Sequence, residues 1–144
     1  MTTAIAGIGT LLKVGDGASP EVFSTIASIT NISGPKITAA QYDVTSMDST
    51  NNYREFISGL KDGGEVSFSI FFNPSETTHK EGTGGLLKFL EDRTVKNWRI
   101  DFPVSPVARW SFAGVVTGFE NEAPVDGPIT ATITIRVSGK PTLS

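Results

Sequence analysis

The chain has 144 residues, no cysteine and a formal net charge of -3, with 15 Asp and Glu against 12 Lys and Arg. That length predicts a single domain over residues 1–144, able to bury a core without metal or disulfide. Disulfide frameworks, thiolate metal sites and Cys nucleophiles are excluded, and the acidic balance argues against a groove that grips nucleic acid, which needs clustered cations.

The N-terminus, Met-Thr-Thr-Ala-Ile-Ala-Gly-Ile-Gly9, has neither a basic stretch nor a continuous apolar run, so it does not read as a signal peptide. No stretch approaches the ~20 apolar residues of a membrane span. A soluble chain made in the cytoplasm, with no membrane partner, is expected.

Taken in order, Thr10–Val14 and Val22–Ile32 are predicted strands around the turn Gly15-Asp16-Gly17. Residues 42–65 form a long connection, far beyond the about 4–6 residues common in compact domains. Its later part places Tyr53, Phe56, Ile57 and Leu60 at i, i+3, i+4 and i+7, one face of two helical turns. Asn51 and Asn52 are candidate caps for that helix and Gly59 a candidate stop.

Glu65–Asn73 returns to period two, with Val66, Phe68, Ile70 and Phe72 opposite Glu65, Ser67 and Ser69. Thr78-His-Lys-Glu81 then has capping-box spacing ahead of Leu86, Leu87, Phe89 and Leu90, predicting a helix over about 78–93. Gly82, Gly84 and Gly85 weaken its first half, leaving a loop there as the alternative and only residues 85–93 as the firm helix. Strands follow at Lys96–Phe102, Ala108–Glu120 and Ile129–Val137, the second with Gly114 and Gly118 marking a bulge or a close backbone approach. The last of these is the cleanest, setting Ile129, Ala131, Ile133, Ile135 and Val137 against Thr130, Thr132, Thr134 and Arg136. Pro103, Pro106, Pro124 and Pro128 fall in the gaps, so these three strands read as an antiparallel meander. The fold class is mainly β, an antiparallel sandwich or barrel with one packed α-helix and a long inter-strand loop at about 45–62.

Candidate chemistry is sparse. His79 is the lone histidine, expected to be a surface or capping residue, with no Cys or second His to complete a metal site. Gly7-Ile-Gly9 lacks the third glycine of a dinucleotide fingerprint. Asp43 and Asp48 are wrongly spaced for a calcium loop and read as turn formers whose carboxylates accept local N–H groups. Trp98 and Trp110 share strand faces with Phe and Ile and read as core. No catalytic, cofactor or metal residue is assigned, and the expectation is a protein that is not an enzyme and carries no cofactor. The polar strand faces, rich in Ser and Thr, are expected to meet water.

A two-turn helix at 53–60 is unstable alone. It either covers the open end of its own sandwich or serves as an apolar latch on a neighbouring subunit.

Asp43-Val-Thr-Ser46, Asp48-Ser49, Tyr53-Arg-Glu-Phe-Ile57, Gly59-Leu-Lys-Asp62 and Gly64-Glu65 together resemble the major tail tube proteins of long, non-contractile-tailed bacteriophages. The resemblance extends to Gly9-Thr10, Phe112-Ala-Gly114, Val116-Thr-Gly-Phe119 and Val137-Ser-Gly-Lys-Pro-Thr-Leu143. It departs at Gly82-Thr-Gly-Gly85, where a more continuous helix is expected.

The resemblance implies hexameric rings stacked into a hollow tube of the virion tail, the chain being made in the host cytoplasm. Partners would then be other copies of itself, tape-measure and tail-tip or terminator proteins, and double-stranded DNA in non-specific passage. Asp43, Thr45, Asp48, Tyr53, Arg54, Glu55, Phe56, Ile57 and Leu60 are the expected interface residues. Glu65, Ser67 and Ser69, or Thr130, Thr132 and Thr134, are the candidates to line the lumen. The competing expectations are a monomeric β-sandwich binding module, such as a decoration or adhesion domain, and the tube of a secretion system.

Overall fold

The computed structural model describes residues 3–144. Among the described residues there are nine strands: β1 Leu11–Gly15, β2 Phe23–Thr25, β3 Ile29–Ser33, β4 Thr38–Asp43, β5 Phe56–Asp62, β6 Glu65–Phe71, β7 Lys96–Asp101, β8 Arg109–Glu122 and β9 Thr130–Leu143. One helix, α1 Leu86–Asp92, lies between β6 and β7. Seven strands form an antiparallel sheet in the order β2-β1-β7-β8-β9-β6-β3, while β4 and β5 pair only with each other. The expected meander is present, since β7 pairs with β8 and β8 with β9.

Alternation explains the core. Val66, Phe68 and Ile70 of β6 lie opposite Ile135, Ile133 and Ala131 of β9, and all six are buried. At the other side of the sheet Leu12 and Val14 face Ile100 and Trp98 in the same way. The sheet curls so that β1 and β3 approach, and both sets join one apolar cluster. At about 25 cal/mol per Å2, burial of such side chains is the dominant stabilising term. Trp98 donates its indole N–H to the Gly114 carbonyl at 3.2 Å and meets Phe89 of α1 edge-on. A Cβ at Gly114 would sit 2.6 Å from Ile135 Cγ2, so that glycine serves a close backbone approach. Gly118 instead follows the register shift after Val116.

Several expectations need correction. The predicted strand Val22–Ile32 is two, because Ser28 adopts φ 59° and turns the chain between β2 and β3. Of the helix expected over 78–93, the firm part expected at 85–93 is present as Leu86–Asp92, and the first half is loop. Gly85 packs against the Lys80 carbonyl in a tight loop where no side chain fits, and α1 starts just after it. The Thr78 hydroxyl does not cap this helix; it accepts the Ala27 N–H at 3.2 Å.

His79 is neither a surface nor a capping residue but fully buried. Its Nδ1 accepts the Asn73 N–H at 3.2 Å, and its Nε2 lies 2.7 Å from the Ala27 carbonyl, to which it donates. Thr78 and His79 thus clamp both backbone groups of Ala27, tying the loop after β6 to the β2–β3 turn.

Candidate assembly interface

The helix expected from Tyr53, Phe56, Ile57 and Leu60 is absent. Phe56, Ile57 and Leu60 belong to strand β5, and Tyr53 precedes it in an extended conformation. Asn51 and Asn52 are not caps: both lie in a single 3-10 turn, Thr50–Asn52, with positive φ. Gly59 lies inside β5, beneath the ring of Tyr42, and stops nothing. The connection 42–65 is therefore half of a β-hairpin arm, Thr38–Asp62, whose partner strand β4 carried no clear signal in the sequence.

The arm stands apart from the sheet. At its root, Asp62 Oδ2 pairs with Arg136 Nη2 of β9 at 2.6 Å, and Asp62 Oδ1 accepts the Gly64 N–H at 2.8 Å. The Arg136 hydrogen bond first, and the Gly64 N–H second, hold the Asp62 carboxyl below the usual carboxylate range. Gly64 takes φ +72°, and a Cβ there would collide with the Lys36 carbonyl. This is a backbone position that favours glycine.

Several polar groups of the arm's loop are satisfied within it. Asp43 Oδ1 accepts the Thr45 N–H at 2.9 Å, the turn-forming role expected of it, and Asp43 Oδ2 lies 3.5 Å from Arg54 Nη1. Hydrogen bonds from Thr45, side chain first and backbone second, lower the Asp43 pKa. Thr45 Oγ1 accepts the Glu55 N–H at 2.8 Å, and Glu55 Oε2 accepts the Ser49 hydroxyl at 2.9 Å. Asp48 donates its backbone N–H to Ser46 Oγ at 3.3 Å.

What the arm leaves uncovered is apolar. Leu60 is 85% exposed, Tyr53 73%, Phe56 55% and Ile57 54%. Tyr42, Val44 and Met47, which sequence patterning did not single out, are exposed as well. Tyr42 and Ile57 are cross-strand partners and share one face; Phe56 pairs with Asp43 on the other. Both faces of the arm therefore present apolar side chains that the described residues leave at least half exposed.

A second surface lies on the main sheet. Glu65, Ser67 and Ser69 oppose Arg136, Thr134 and Thr132, and Thr130 opposes Phe71. The two sets that alternation left as alternatives thus belong to one continuous outward face. β3 adds Asn31 beside Ser69 and Ser33 beside Ser67, while β8 adds Glu120 beside Thr132 and Glu122 beside Thr130. The result is a mainly polar strip of hydroxyls and carboxylates, with Asn31, Arg136 and the half-exposed Phe71 among them, across the outer side of four strands. No helix among the described residues is long and apolar enough to cross a membrane.

A curled sheet with one wet outer strip and an exposed apolar arm is an architecture suited to a structural subunit. The chain belongs to the lambda phage tail tube protein family, whose profile matches residues 9–144. It is a structural subunit of a phage tail tube and a component of the virion tail.

Solved structures share the fold at low identity. One is the tail of an empty gene transfer agent particle refined with C6 symmetry, 20% identical, covering 98% of this chain and 99% of its own, at a TM-score of 0.72. Another is the SPP1 tail tube, 11% identical, covering 98% of this chain and 79% of its own, at 0.72. The sheath-tube complex of an extracellular contractile injection system is 13% identical, covers 100% and 93%, and scores 0.70. Among curated proteins, none matches the chain.

Proposed function

We propose that the protein is a non-enzymatic subunit whose residues 1–144 act as one tube-building unit, stacking as rings of six into a conduit for viral DNA. The apolar arm carries this reading. Leu60, Tyr53, Phe56 and Ile57 are more than half exposed in the isolated chain, on a hairpin where Asp43 pairs with Arg54. A two-stranded hairpin is at best marginally stable in water, and a copy of the same chain is the partner that a tube supplies at every position. Asp43, Thr45, Asp48, Arg54 and Glu55 shape the arm's loop, and Tyr53, Phe56, Ile57 and Leu60 bury against neighbours. An arm that is apolar on both faces fits between two of them.

Rings of six are supported by the C6 symmetry of the gene transfer agent tail that shares this fold. The terminator and cap structures with the same fold support a terminating partner at the tube's end. Tape-measure and tail-tip proteins are the further partners of such a tube. The strip of Glu65, Ser67, Ser69, Thr130, Thr132 and Thr134 suits the bore. Its hydroxyls keep the wall wet, and Glu65, Glu120 and Glu122 oppose adhesion of the phosphate backbone.

Replacing residues 46–60 by a short Gly-Ser turn tests the arm's role. A folded monomer that no longer forms tubes under the electron microscope is expected; tubes of normal length and abundance would refute it.

A further inference from the structure

The wet strip holds a single cation. Among its residues Arg136 of β9 is the only Lys or Arg; the rest are hydroxyls, the Asn31 amide, carboxylates and Phe71. A guanidinium presents its N–H donors in a rigid fork that matches the oxygens of a phosphate. Left bare on a wall that DNA passes, it would catch the backbone at every subunit.

Arg136 is not bare. Asp62 Oδ2 lies 2.6 Å from Arg136 Nη2, and Glu65 stands directly opposite Arg136 on β6. The Asp62 hydrogen bond first, then the charge of Asp62 and that of Glu65, push the Arg136 pKa up. One guanidinium is flanked by two carboxylates, so the group as a whole is an anion.

The turn that carries both carboxylates, Asp62-Gly-Gly-Glu65, is set against β9 by further contacts. Val137 donates its N–H to the Gly64 carbonyl at 2.9 Å, and the Gly64 N–H reaches Asp62 Oδ1 at 2.8 Å. A Cβ at Gly63 would lie 2.6 Å from Val137 Cγ1, so backbone and sheet meet closely there. The Asp62 and Arg136 side chains are 48% and 47% exposed, and an ion pair so open to water adds little to stability. Its position on the strip gives it a second use.

We propose that Arg136 is a latent phosphate site on the tube wall, kept closed by Asp62 and Glu65, and that the backbone of duplex DNA is the ligand it would otherwise take. This rests on the tube reading above, because the bore is what brings DNA along this face. Asp62 is the last residue of β5, so the carboxylate at the arm's root also covers the strip's one cation. Glu120 and Glu122 act differently. Their cross-strand partners are Thr132 and Thr130, so they add negative charge without covering a cation.

Binding of a short fluorescent DNA duplex to the purified soluble subunit, followed by anisotropy across a salt series, tests the mask. Asp62→Asn with Glu65→Gln removes both flanking carboxylates. Glu120→Gln with Glu122→Gln removes the same charge and uncovers nothing. The first pair should bind more tightly, with a log–log salt slope steeper by about 0.9. A tenfold drop in salt then widens the gap about eightfold, and adding Arg136→Gln should abolish it. If Asp62→Asn loosens the arm, Glu65→Gln alone carries the test, since it leaves the Asp62 contacts in place and should gain affinity over Glu120→Gln. Equal affinity and slope in the compared variants, or a gain that survives Arg136→Gln, would overturn the mask and leave the tube reading intact. Failure of the unsubstituted chain to form tubes would remove the tube reading, while the binding comparison would still stand.

Discussion

Leu60 offers a perturbation whose two effects separate. It is 85% exposed on β5, so Leu60→Ser removes almost no packing from the isolated subunit. Surface changes of this kind stay within about 0.5 kcal/mol, and the melting temperature should hold. Full burial of a leucine stabilises by about 1.5–3 kcal/mol, and 85% of that surface is still available to a neighbour. Losing it should weaken each subunit contact by about 1.3–2.5 kcal/mol, which is roughly a ten- to seventyfold rise in the concentration needed for tube growth. Sedimentation of assembled tubes across a concentration series, alongside thermal unfolding of the soluble subunit, reads both quantities. An unchanged critical concentration with an unchanged melting temperature would show that Leu60 meets no neighbour. A large fall in melting temperature would show that the arm packs on its own subunit in solution.

Other expectations follow from the same contacts. His79→Phe keeps the ring's bulk but strands the Asn73 N–H and the Ala27 carbonyl; about 1–3 kcal/mol of stability should be lost, a fall of roughly 3–10 °C by calorimetry. Gly64→Ala places a side chain at φ +72° against the Lys36 carbonyl. About 1–3 kcal/mol of strain is expected there, seen as faster hydrogen exchange over residues 38–62 with core exchange little changed. The Asp62 carboxyl titrates below its ordinary value of 3.8 because Arg136 and the Gly64 N–H stabilise the charged form. Its contribution is therefore complete above pH 3.8 and is lost as pH falls through the lower folded value. The arm's root should loosen in that acid window, and in Asp62→Asn the exchange rates of the arm should lose this acid dependence.

The sheet was legible where one strand face is wet and the other is core. Thr130–Val137 and Glu65–Phe71 alternate cleanly, because their even and odd residues meet different environments. The same signal fails in the arm. β5 carries Phe56 and Ile57 side by side, one on each face, so period two vanishes and a helical spacing appears by coincidence. An element that its own chain leaves open on both sides cannot display the alternation of an element covered on one. Ser28 was missed as a strand break because its φ of 59° is set by the turn it closes, not by a residue type that prefers such turns. His79 looked like a surface residue because its partners, Asn73 and Ala27, offer backbone groups that carry no mark in the sequence. The wet strip was visible as two separate candidate sets, and only the β6–β9 register joined them.

On the proposed reading, copies of this chain close into a tube with the β6–β9 strip inside and the arm buried between subunits. Helical reconstruction of tubes from the purified protein by electron cryomicroscopy shows both surfaces at once. Rings of six with Glu65 and Thr132 facing the bore, and with Phe56, Ile57 and Leu60 against neighbouring chains, are predicted. Particles that stay monomeric, or tubes whose arms project freely into solvent, would contradict it.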